Sequence, residues 1–381
     1  MKLGAVSAIV FTASTAAAQS SADTSSLVAR LGVDTIAVER ILKTARTVEA
    51  EITVRSPRTT LQHHKAQFGP DGSLSTLEVS ILDPATSEVT RRTAYTREAD
   101  SIRVVDVQGD KRTTRAVAAT AAVLPFIDLV HWPFDVALRR LRTSGSSAVE
   151  APMLSGSRVS AFPLAIRSGD SATVTHPTRG TMRLTLMPDG SIRTLDAGAT
   201  TRALVVTRVK ALDVASLARD YAARDAAGKG VGELSGRGGG PTSVLGANIV
   251  LDYGTPSRRG RDIWGVLVKY GNLWRTGANT ATHFSTDKPL RFGTLDVPAG
   301  KYTLYSIPEA DGGWLIINKQ TGQNGQQYDK SQDLGRVRLR ARDLHEPVET
   351  FTISAREEAG RGLLGLQWDR RELVTEFEPG R

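Results

Sequence analysis

The residues best suited to chemistry lie in one short run, from Trp274 to Asn279. Arg275 carries a planar guanidinium whose five N–H donors match a carboxylate or a phosphate. The amide of Asn279 both donates and accepts hydrogen bonds, and Gly277 permits a backbone turn that directs both side chains to one point. The run therefore predicts a site for a polar or anionic group. The alternative is a structural corner, in which Trp274 fills the core while Arg275 and Asn279 satisfy buried backbone groups.

His283 follows this run by four residues and is the candidate catalytic base, because an imidazole exchanges a proton near neutral pH. A hydrolase would use His283 as base and Arg275 to stabilise the developing charge. The six histidines lie at positions 63, 64, 131, 176, 283 and 345, without the spacing of a zinc site. The chain also lacks the glycine fingerprints of nucleotide sites. We therefore predict no metal and no cofactor.

A second group of polar and aromatic residues surrounds the end of a predicted strand. It consists of Trp314, Asn318, Lys319 and Tyr328. Amides and aromatic rings in a loop at the end of a β-sandwich suit the binding of ligands such as sugars. The same composition suits a long solvated connection. These four residues join Trp274, Arg275 and Asn279 as predicted ligand-binding residues.

Four arginines alternate with apolar residues from Arg336 to Arg342. In a strand this alternation places the four guanidiniums on one face. Such a row can bind an anionic ligand, but it also forms a charged edge that blocks aggregation between strands, and we favour the second interpretation.

Residues 244–381 predict an all-β domain. Short strands recur with a turn about every 8–12 residues, which favours a β-sandwich or jelly roll. Within it, residues 290–297 and 301–307 are expected to pair as a hairpin around the turn Pro298-Ala299-Gly300.

Residues 30–227 predict an antiparallel β-rich domain with a few flanking helices. The spacing of apolar residues predicts helices over 35–48 and from the capping residue Asp213 to about Ala227. The apolar stretch 116–141 predicts a helix pair against one face of the sheet, a layout that suggests lipid handling as a further hypothesis. An ordinary hydrophobic core is the alternative. Residues 228–243 contain seven glycines and predict a flexible linker.

The N-terminal residues predict a secretory signal over 1–18. Lys2 supplies the positive charge, residues 3–13 the apolar run, and Ala16-Ala17-Ala18 the small-residue cleavage site. No stretch reaches the roughly 20 apolar residues of a membrane span, and the chain has no cysteine to form disulfides or carry a lipid. We therefore expect an exported protein, periplasmic or extracellular. The net charge of +9 is spread along the chain, which predicts no nucleic-acid partner. Protein partners are left unspecified.

The second domain resembles the bacterial domain-of-unknown-function family 2911 over about residues 247–377. The resemblance rests on several motifs in one order. They are Tyr253 with Pro256, Arg258 to Arg261, Ile263-Trp264-Gly265, Trp274 to Asn279, Ala299-Gly300-Lys301-Tyr302, Ile307-Pro308, Trp314 with Asn318-Lys319, and Phe351-Thr352-Ile353-Ser354. The resemblance implies a compact exported β-sandwich and no established reaction. Members commonly carry a glutamate where this chain has Thr280, so a carboxylate-dependent mechanism there is not expected.

Together these observations favour an exported envelope protein that binds a small polar or anionic ligand in its second domain. The hydrolase alternative requires His283 and Arg275 within hydrogen-bond reach around an open cleft. The lipid-handling alternative requires an apolar cavity beneath Phe126, Trp132 and Phe134, with the second domain as an adaptor.

Overall fold

The computed structural model describes residues 23–198, 200, 202–323 and 325–380. The predicted signal peptide at 1–18 lies outside the described residues. Nearly all of the regular structure is strand, arranged in a 15-stranded sheet and a 9-stranded sheet. The pairing is antiparallel apart from one short parallel contact, which confirms the mainly β, antiparallel fold class.

The first sheet runs in the order β8-β7-β6-β5-β4-β3-β2-β1-β15-β14-β13-β12-β11-β10-β9. Its strands are β1 (Asp23–Leu31), β2 (Asp34–Lys43), β3 (Thr47–Val54), β4 (Thr60–Phe68), β5 (Leu74–Leu82), β6 (Val89–Glu98), β7 (Ser101–Gln108), β8 (Lys111–Ala118), β9 (Leu124–Pro125), β10 (Ala148–Ser155), β11 (Arg158–Ile166), β12 (Ser171–His176), β13 (Gly180–Leu186), β14 (Ile192–Asp196) and β15 (Val205–Lys210). Sequence neighbours pair except for β8 and β9, which lie at the two ends of the sheet. Because β1 joins β15, the chain returns to its starting strand.

The two ends of the first sheet approach each other, which shows that the sheet is curled. The guanidinium of Arg115 on β8 donates to the carbonyl oxygen of Gly156 after β10, at 3.3 Å. Ile102 and Val117 from one end share a small core with Leu154 from the other. The helix α1 (Trp132–Thr143) packs into the main core of this curled sheet.

The predicted helix pair over 116–141 is wrong, since only α1 forms. Leu129 has a left-handed φ of 65°, which interrupts a helix, and Pro133 is tolerated only in a first turn. The helix therefore begins at Trp132. The preceding apolar residues include β9, a two-residue strand.

The predicted helix over 35–48 is also wrong, because this segment forms β2 and the start of β3. Ile36 and Ile41 pack into the main core, whereas Val38 packs on the opposite side against the helix α2 (Val214–Ala226). A strand that is buried on both faces loses the alternation that identifies a strand in sequence.

The helix predicted after Asp213 is confirmed as α2. The carboxylate of Asp213 accepts a hydrogen bond from the backbone N–H of Ser216 at 2.9 Å, as an N-cap does. Val214 and Ala218 are fully buried against the outer face of the first sheet. Within the part of the chain that the structure describes, no helix is long and apolar enough to cross a membrane.

The second sheet runs in the order β16-β17-β18-β21-β22-β23-β24-β19-β20. Its strands are β16 (Ser235–Val244), β17 (Ala247–Pro256), β18 (Thr282–Thr286), β19 (Leu290–Phe292), β20 (Leu295–Val297), β21 (Gly300–Glu309), β22 (Gly312–Asn318), β23 (Asp333–Glu358) and β24 (Arg361–Pro379), with a 3₁₀ turn at Lys330–Gln332. They enclose one core, as expected for a β-sandwich-like domain. The pairing of the long strands β23 and β24 shifts register near Asp343 and Val348.

Two local predictions in this region are wrong. Residues 290–297 fold back on themselves as β19 and β20, and β21 pairs with β18 and β22 instead. The second half of the predicted linker is the edge strand β16, paired with β17 along its whole length. Glycine is required there: a Cβ on Gly239, at a φ of 111°, would lie 2.0 Å from the carbonyl oxygen of Leu251. The domain boundaries themselves stay a prediction.

Arg259 joins the two sheets. Its side chain is 8% exposed, and the guanidinium lies 2.7 Å from the carboxylate of Asp34. It also donates to the carbonyl oxygens of Val231 and Glu233, at 3.1 and 3.2 Å. The backbone carbonyl of Arg259 accepts from Val33 N–H at 3.1 Å.

Replacing Arg259 with glutamine is expected to lower the free energy of unfolding by about 2 kcal/mol, because it leaves two carbonyl groups and a carboxylate without their donor. Urea denaturation measures the loss. Asp34→Asn, which keeps both carbonyl contacts, is expected to cost less than half as much. Equal losses in the two variants would contradict a role for the carbonyl contacts.

Candidate functional site

A cavity of about 440 Å³ opens between the two sheets. One wall, here called the first wall, comes from the first sheet and includes Leu31, Arg179 and Arg202. The opposite wall, here called the second wall, comes from residues 256–279 together with Trp368. The volume lies within the roughly 300–1,000 Å³ of small-molecule sites.

The run Trp274–Asn279 is fixed to the second sheet by backbone and hydroxyl contacts. Trp274 exchanges two backbone hydrogen bonds with Ser306, at 2.7 and 2.9 Å. The hydroxyl of Thr276 donates to that of Ser306 at 2.9 Å, and the hydroxyl of Thr282 donates to the carbonyl of Thr276 at 2.7 Å. Because Thr276 and Thr282 are fully buried, these contacts hold the run in one position.

Trp274 belongs both to the second wall and to a cluster of aromatic rings. Its ring stacks on Trp368 at 6.1 Å with an interplanar angle of 14°. It meets Phe351 and Trp264 edge-on, at 5.0 and 6.1 Å. The ring is half-buried and lines the cavity, so it contributes both to the core and to the site.

Arg275 presents a half-buried guanidinium to the cavity. Its Nε donates to the carbonyl of Gly277 at 3.4 Å, and Nη1 donates to the carbonyl of Asn279 at 3.3 Å. Among the described residues it has no carboxylate partner. Burial lowers the pKa of Arg275, but a guanidinium stays charged in a protein. The positive charge is therefore uncompensated by a neighbouring acid.

Arg261 is a second cation on this wall, and the described residues contain no ion pair for it either. It donates to the backbone carbonyls of Arg258 and Ser257, at 2.9 and 2.5 Å. Burial, together with the charge of Arg259, lowers the pKa of Arg261. Asn279 lines the same wall, exposed and with a left-handed φ of 63°, and its amide donates to the carbonyl of Ser235 at 3.4 Å.

The first wall carries two arginines that share one carboxylate. Nη1 of Arg179 lies 2.7 Å from Oδ1 of Asp128, and Nη2 of Arg202 contacts Oδ2 of the same residue. Burial raises the pKa of Asp128, but the charges of Arg202 and Arg179 outweigh it and lower the pKa overall. The carboxylate is therefore ionised at neutral pH and holds the two guanidiniums side by side.

The cavity is strongly positive. Its described lining contains five basic side chains and no acidic one; the five are Arg179, Arg202, Arg261, Lys269 and Arg275. His176, next to the first wall, adds no charge at neutral pH, because burial and then the charge of Arg179 lower its pKa to about 4. Like charges around a partly enclosed space concentrate the field there and attract anions.

Only three of the ligand-binding residues predicted from the sequence line this cavity: Trp274, Arg275 and Asn279. Sequence reasoning missed Arg179 and Arg202, whose sequence neighbourhood gives no local sign that they face a site. Arg261 belongs to the motif Arg258 to Arg261, to which the sequence assigns no role. Lys269 is a further lining residue that the sequence does not predict.

The other predicted ligand-binding residues lie elsewhere, so the prediction of one shared site is wrong for them. Asn318 is fully buried and its amide donates to the carbonyl of Asp329 and to the carboxylate of Asp333, at 2.8 and 2.9 Å. The Tyr328 hydroxyl donates to Asp333 at 2.7 Å. These contacts fix the turn after β22 from within.

Trp314 and Lys319 are exposed on the surface. The Trp314 ring is 37% exposed and lies under the guanidinium of Arg338 at 5.2 Å. His283 lies on β18 beside Thr303, whose hydroxyl oxygen is 3.3 Å from Nδ1. Neither Trp314 nor His283 lines the cavity.

The arginine row on β23 is paired with acids rather than open to a ligand. Each of its four members lies near a carboxylate; the pairs are Arg336 with Asp333, Arg338 with Glu309, Arg340 with Glu376, and Arg342 with Glu358. These exposed pairs make the row a charged surface. The prediction of a charged edge is wrong, because β23 pairs with both β22 and β24. In the described chain, no three side chains of the metal-ligating types come together.

The interior of the first sheet is packed. A space of only about 40 Å³ lies beneath Phe126 and Phe134. These two rings form a cluster with those of Phe162 and His176, with centroid distances of 4.9 to 6.3 Å. A space this small cannot hold an acyl chain, so the structure gives the lipid-handling alternative no support.

His64 is buried in this interior between two hydrogen-bond partners. Its Nδ1 accepts from Nε1 of Trp132 at 3.0 Å, and its Nε2 lies 3.1 Å from the side-chain oxygen of Gln62. Burial, with a smaller effect of His63, lowers the pKa of His64 to about 3 from 6.5. The ring is therefore neutral in the folded protein across the physiological range.

Acid is expected to destabilise the fold through His64. The unfolded chain binds a proton near pH 6.5 and the folded chain only near pH 3, so this contribution to stability is complete above pH 6.5 and is lost as the pH falls toward 3. Between pH 6.5 and 4.5 the loss is about 2 kcal/mol. Urea denaturation at both pH values should show a smaller loss in His64→Asn, which keeps an acceptor near the Nδ1 position. Equal losses in both proteins would contradict this assignment.

Comparison with known proteins supports the family resemblance and adds no activity. Residues 241–377 match the family model DUF2911, described as a protein of unknown function, which confirms the resemblance of the second domain. Among solved structures, the chain is similar to a beta-barrel-like protein of domain of unknown function DUF1849 from Brucella abortus. The two are 12% identical with a TM-score of 0.33, over 50% of this chain and 94% of that chain. No curated protein matches the chain.

Proposed function

We propose that this chain is an exported envelope protein that binds a small anionic ligand in the cavity between its two sheets. The observation that carries the proposal is the lining of the cavity, in which the described residues supply five basic side chains and no acidic one. Because Asp128 offsets one of these charges, the site keeps a net excess of positive charge.

An anion would lower the free energy of this arrangement. Like charges around a partly buried space repel each other, and the repulsion is larger there than in water because the surroundings are less polar. Arg275 and Arg261 each retain N–H donors that no described residue accepts from. Hydrogen bonds from guanidinium to carboxylate or phosphate are among the strongest that proteins form.

The geometry favours binding over hydrolysis at this cavity. His283, the proposed base, lies on β18 and does not line the cavity that Arg275 faces. The described lining contains no histidine, aspartate or glutamate, so Lys269 is its one side chain of a type that acts as a general base.

The proposal is tested by thermal denaturation of the full chain with carboxylates, phosphates and uncharged sugars. An anion at 100 times its dissociation constant stabilises the folded state by about 2.7 kcal/mol, a rise in melting temperature on the order of 5 °C. Arg275→Gln is expected to weaken binding about 10-fold to 100-fold, since it removes charge-assisted hydrogen bonds.

The matched control is Arg291→Gln, which removes the same charge from a half-buried residue outside the cavity. Binding unchanged in Arg275→Gln, or lost equally in both variants, would overturn the proposal. Stabilisation by sugars and not by anions would overturn it as well.

A further inference from the structure

Four of the five basic side chains of the cavity form two groups, one on each wall. Arg179 and Arg202 belong to the first wall, and Arg261 and Arg275 belong to the second wall. Each group comes from a different sheet, so the cavity has a basic end on both sides of the gap.

The two guanidiniums of the first wall are positioned and still able to bind. Arg179 and Arg202 each contact Asp128 through a single Nη atom, and Arg179 also lies 5.7 Å from the centre of the Phe126 ring. A guanidinium has five N–H donors, so both keep donors free after contacting Asp128. Asp128 lines the small space beneath Phe126 and is absent from the lining of the large cavity. The large cavity therefore receives the two guanidiniums with no carboxylate among its described lining residues.

Apolar side chains line the cavity alongside the basic and the uncharged polar ones. Leu31 and Leu234 lie on one side, and Leu267, Leu273 and Trp274 on the other. A ligand that is charged along its whole length would lose hydration against these side chains without compensation. A ligand with an uncharged centre would bury apolar surface there.

We infer that the ligand is a dianion with an uncharged centre, which places one acidic group against Arg179 and Arg202 and the other against Arg261 and Arg275. This inference rests on the proposed function and adds its substrate class. Once one acidic group is bound, the second meets its arginines at high effective concentration, so a dianion of the right length binds much more tightly than a monoanion.

The experiment is calorimetric titration of the full chain with linear dicarboxylates of increasing length, and with monocarboxylates matched to them in chain length. Affinity is expected to peak at one dicarboxylate length and to exceed that of the matched monocarboxylate at least 10-fold. Arg202→Gln and Arg275→Gln should each remove most of this advantage, whereas Arg291→Gln should keep it. Arg179→Gln provides a second variant on the first wall in case Arg202→Gln fails to fold.

The outcomes separate the two proposals. Equal binding of matched monocarboxylates and dicarboxylates, sensitive to Arg275→Gln and insensitive to both first-wall variants, would overturn the bridging dianion and leave the anion site in place. Binding that no cavity variant changes would overturn both. A dicarboxylate advantage that depends on length and on both walls would support the inference.

Discussion

Replacing Glu39 with alanine is expected to destabilise the protein by about 3–5 kcal/mol, the largest effect of any single change that the structure suggests. Glu39 is 1% exposed and projects from β2 to the start of α1. Its Oε1 accepts the backbone N–H of His131 at 2.8 Å and lies 2.7 Å from Nδ1 of the same residue. Its Oε2 accepts the N–H of Trp132 at 3.1 Å. The carboxylate thus acts as the N-cap that His131 itself does not provide.

The loss would come from buried donors that are left without an acceptor, each costing about 1–3 kcal/mol. Urea denaturation gives the free energy of unfolding. Glu49→Ala, an exposed glutamate on the neighbouring strand β3, is the control and should change stability by less than about 0.5 kcal/mol. A similar small change in Glu39→Ala would contradict the capping role.

Replacing Gly254 with alanine is expected to cost about 3 kcal/mol and to remove anion binding. An added Cβ would lie 1.9 Å from the carbonyl oxygen of Ala278, because β17 passes directly against the run that carries Arg275. Backbone atoms cannot rotate away as side chains do, so the run must move. A displacement of about 1 Å at a binding group is enough to reduce its function strongly.

The control for this change is Gly236→Ala on the adjacent strand β16, where the nearest atom to a new Cβ is the side-chain oxygen of Thr255 at 3.2 Å. Denaturation and anion titration should both show a large effect for Gly254 and a small one for Gly236. Wild-type anion affinity in Gly254→Ala would contradict the dependence of the site on this close approach.

Local signals in the sequence predicted the elements that local interactions determine. Asp213 identified α2 because an N-cap acts within three residues. The helix prediction over 35–48 was wrong because Val38 is buried by α2, which lies far along the chain. The glycines of β16 predict a linker. In the structure they allow close contact with β17, which is visible only once the strands are paired.

The candidate site divides in the same way. Trp274, Arg275 and Asn279 could be predicted because they share one short run. Arg179 and Arg202 could not, since only the folding of the first sheet brings them to the cavity beside Asp128. Asn318 and Tyr328 are residue types that are typical of a binding loop. Their polar atoms instead form hydrogen bonds within the turn that they stabilise.

The most direct test of the central claim is hydrogen–deuterium exchange of the full chain with and without the most stabilising dicarboxylate. We expect slower exchange in peptides that contain Arg261 and Arg275, and in peptides that contain Arg179 and Arg202, with Arg275→Gln abolishing both effects at the same ligand concentration. Protection confined to the loop around Asn318 and Tyr328, or no protection by an anion that binds, would contradict an anion site between the two sheets.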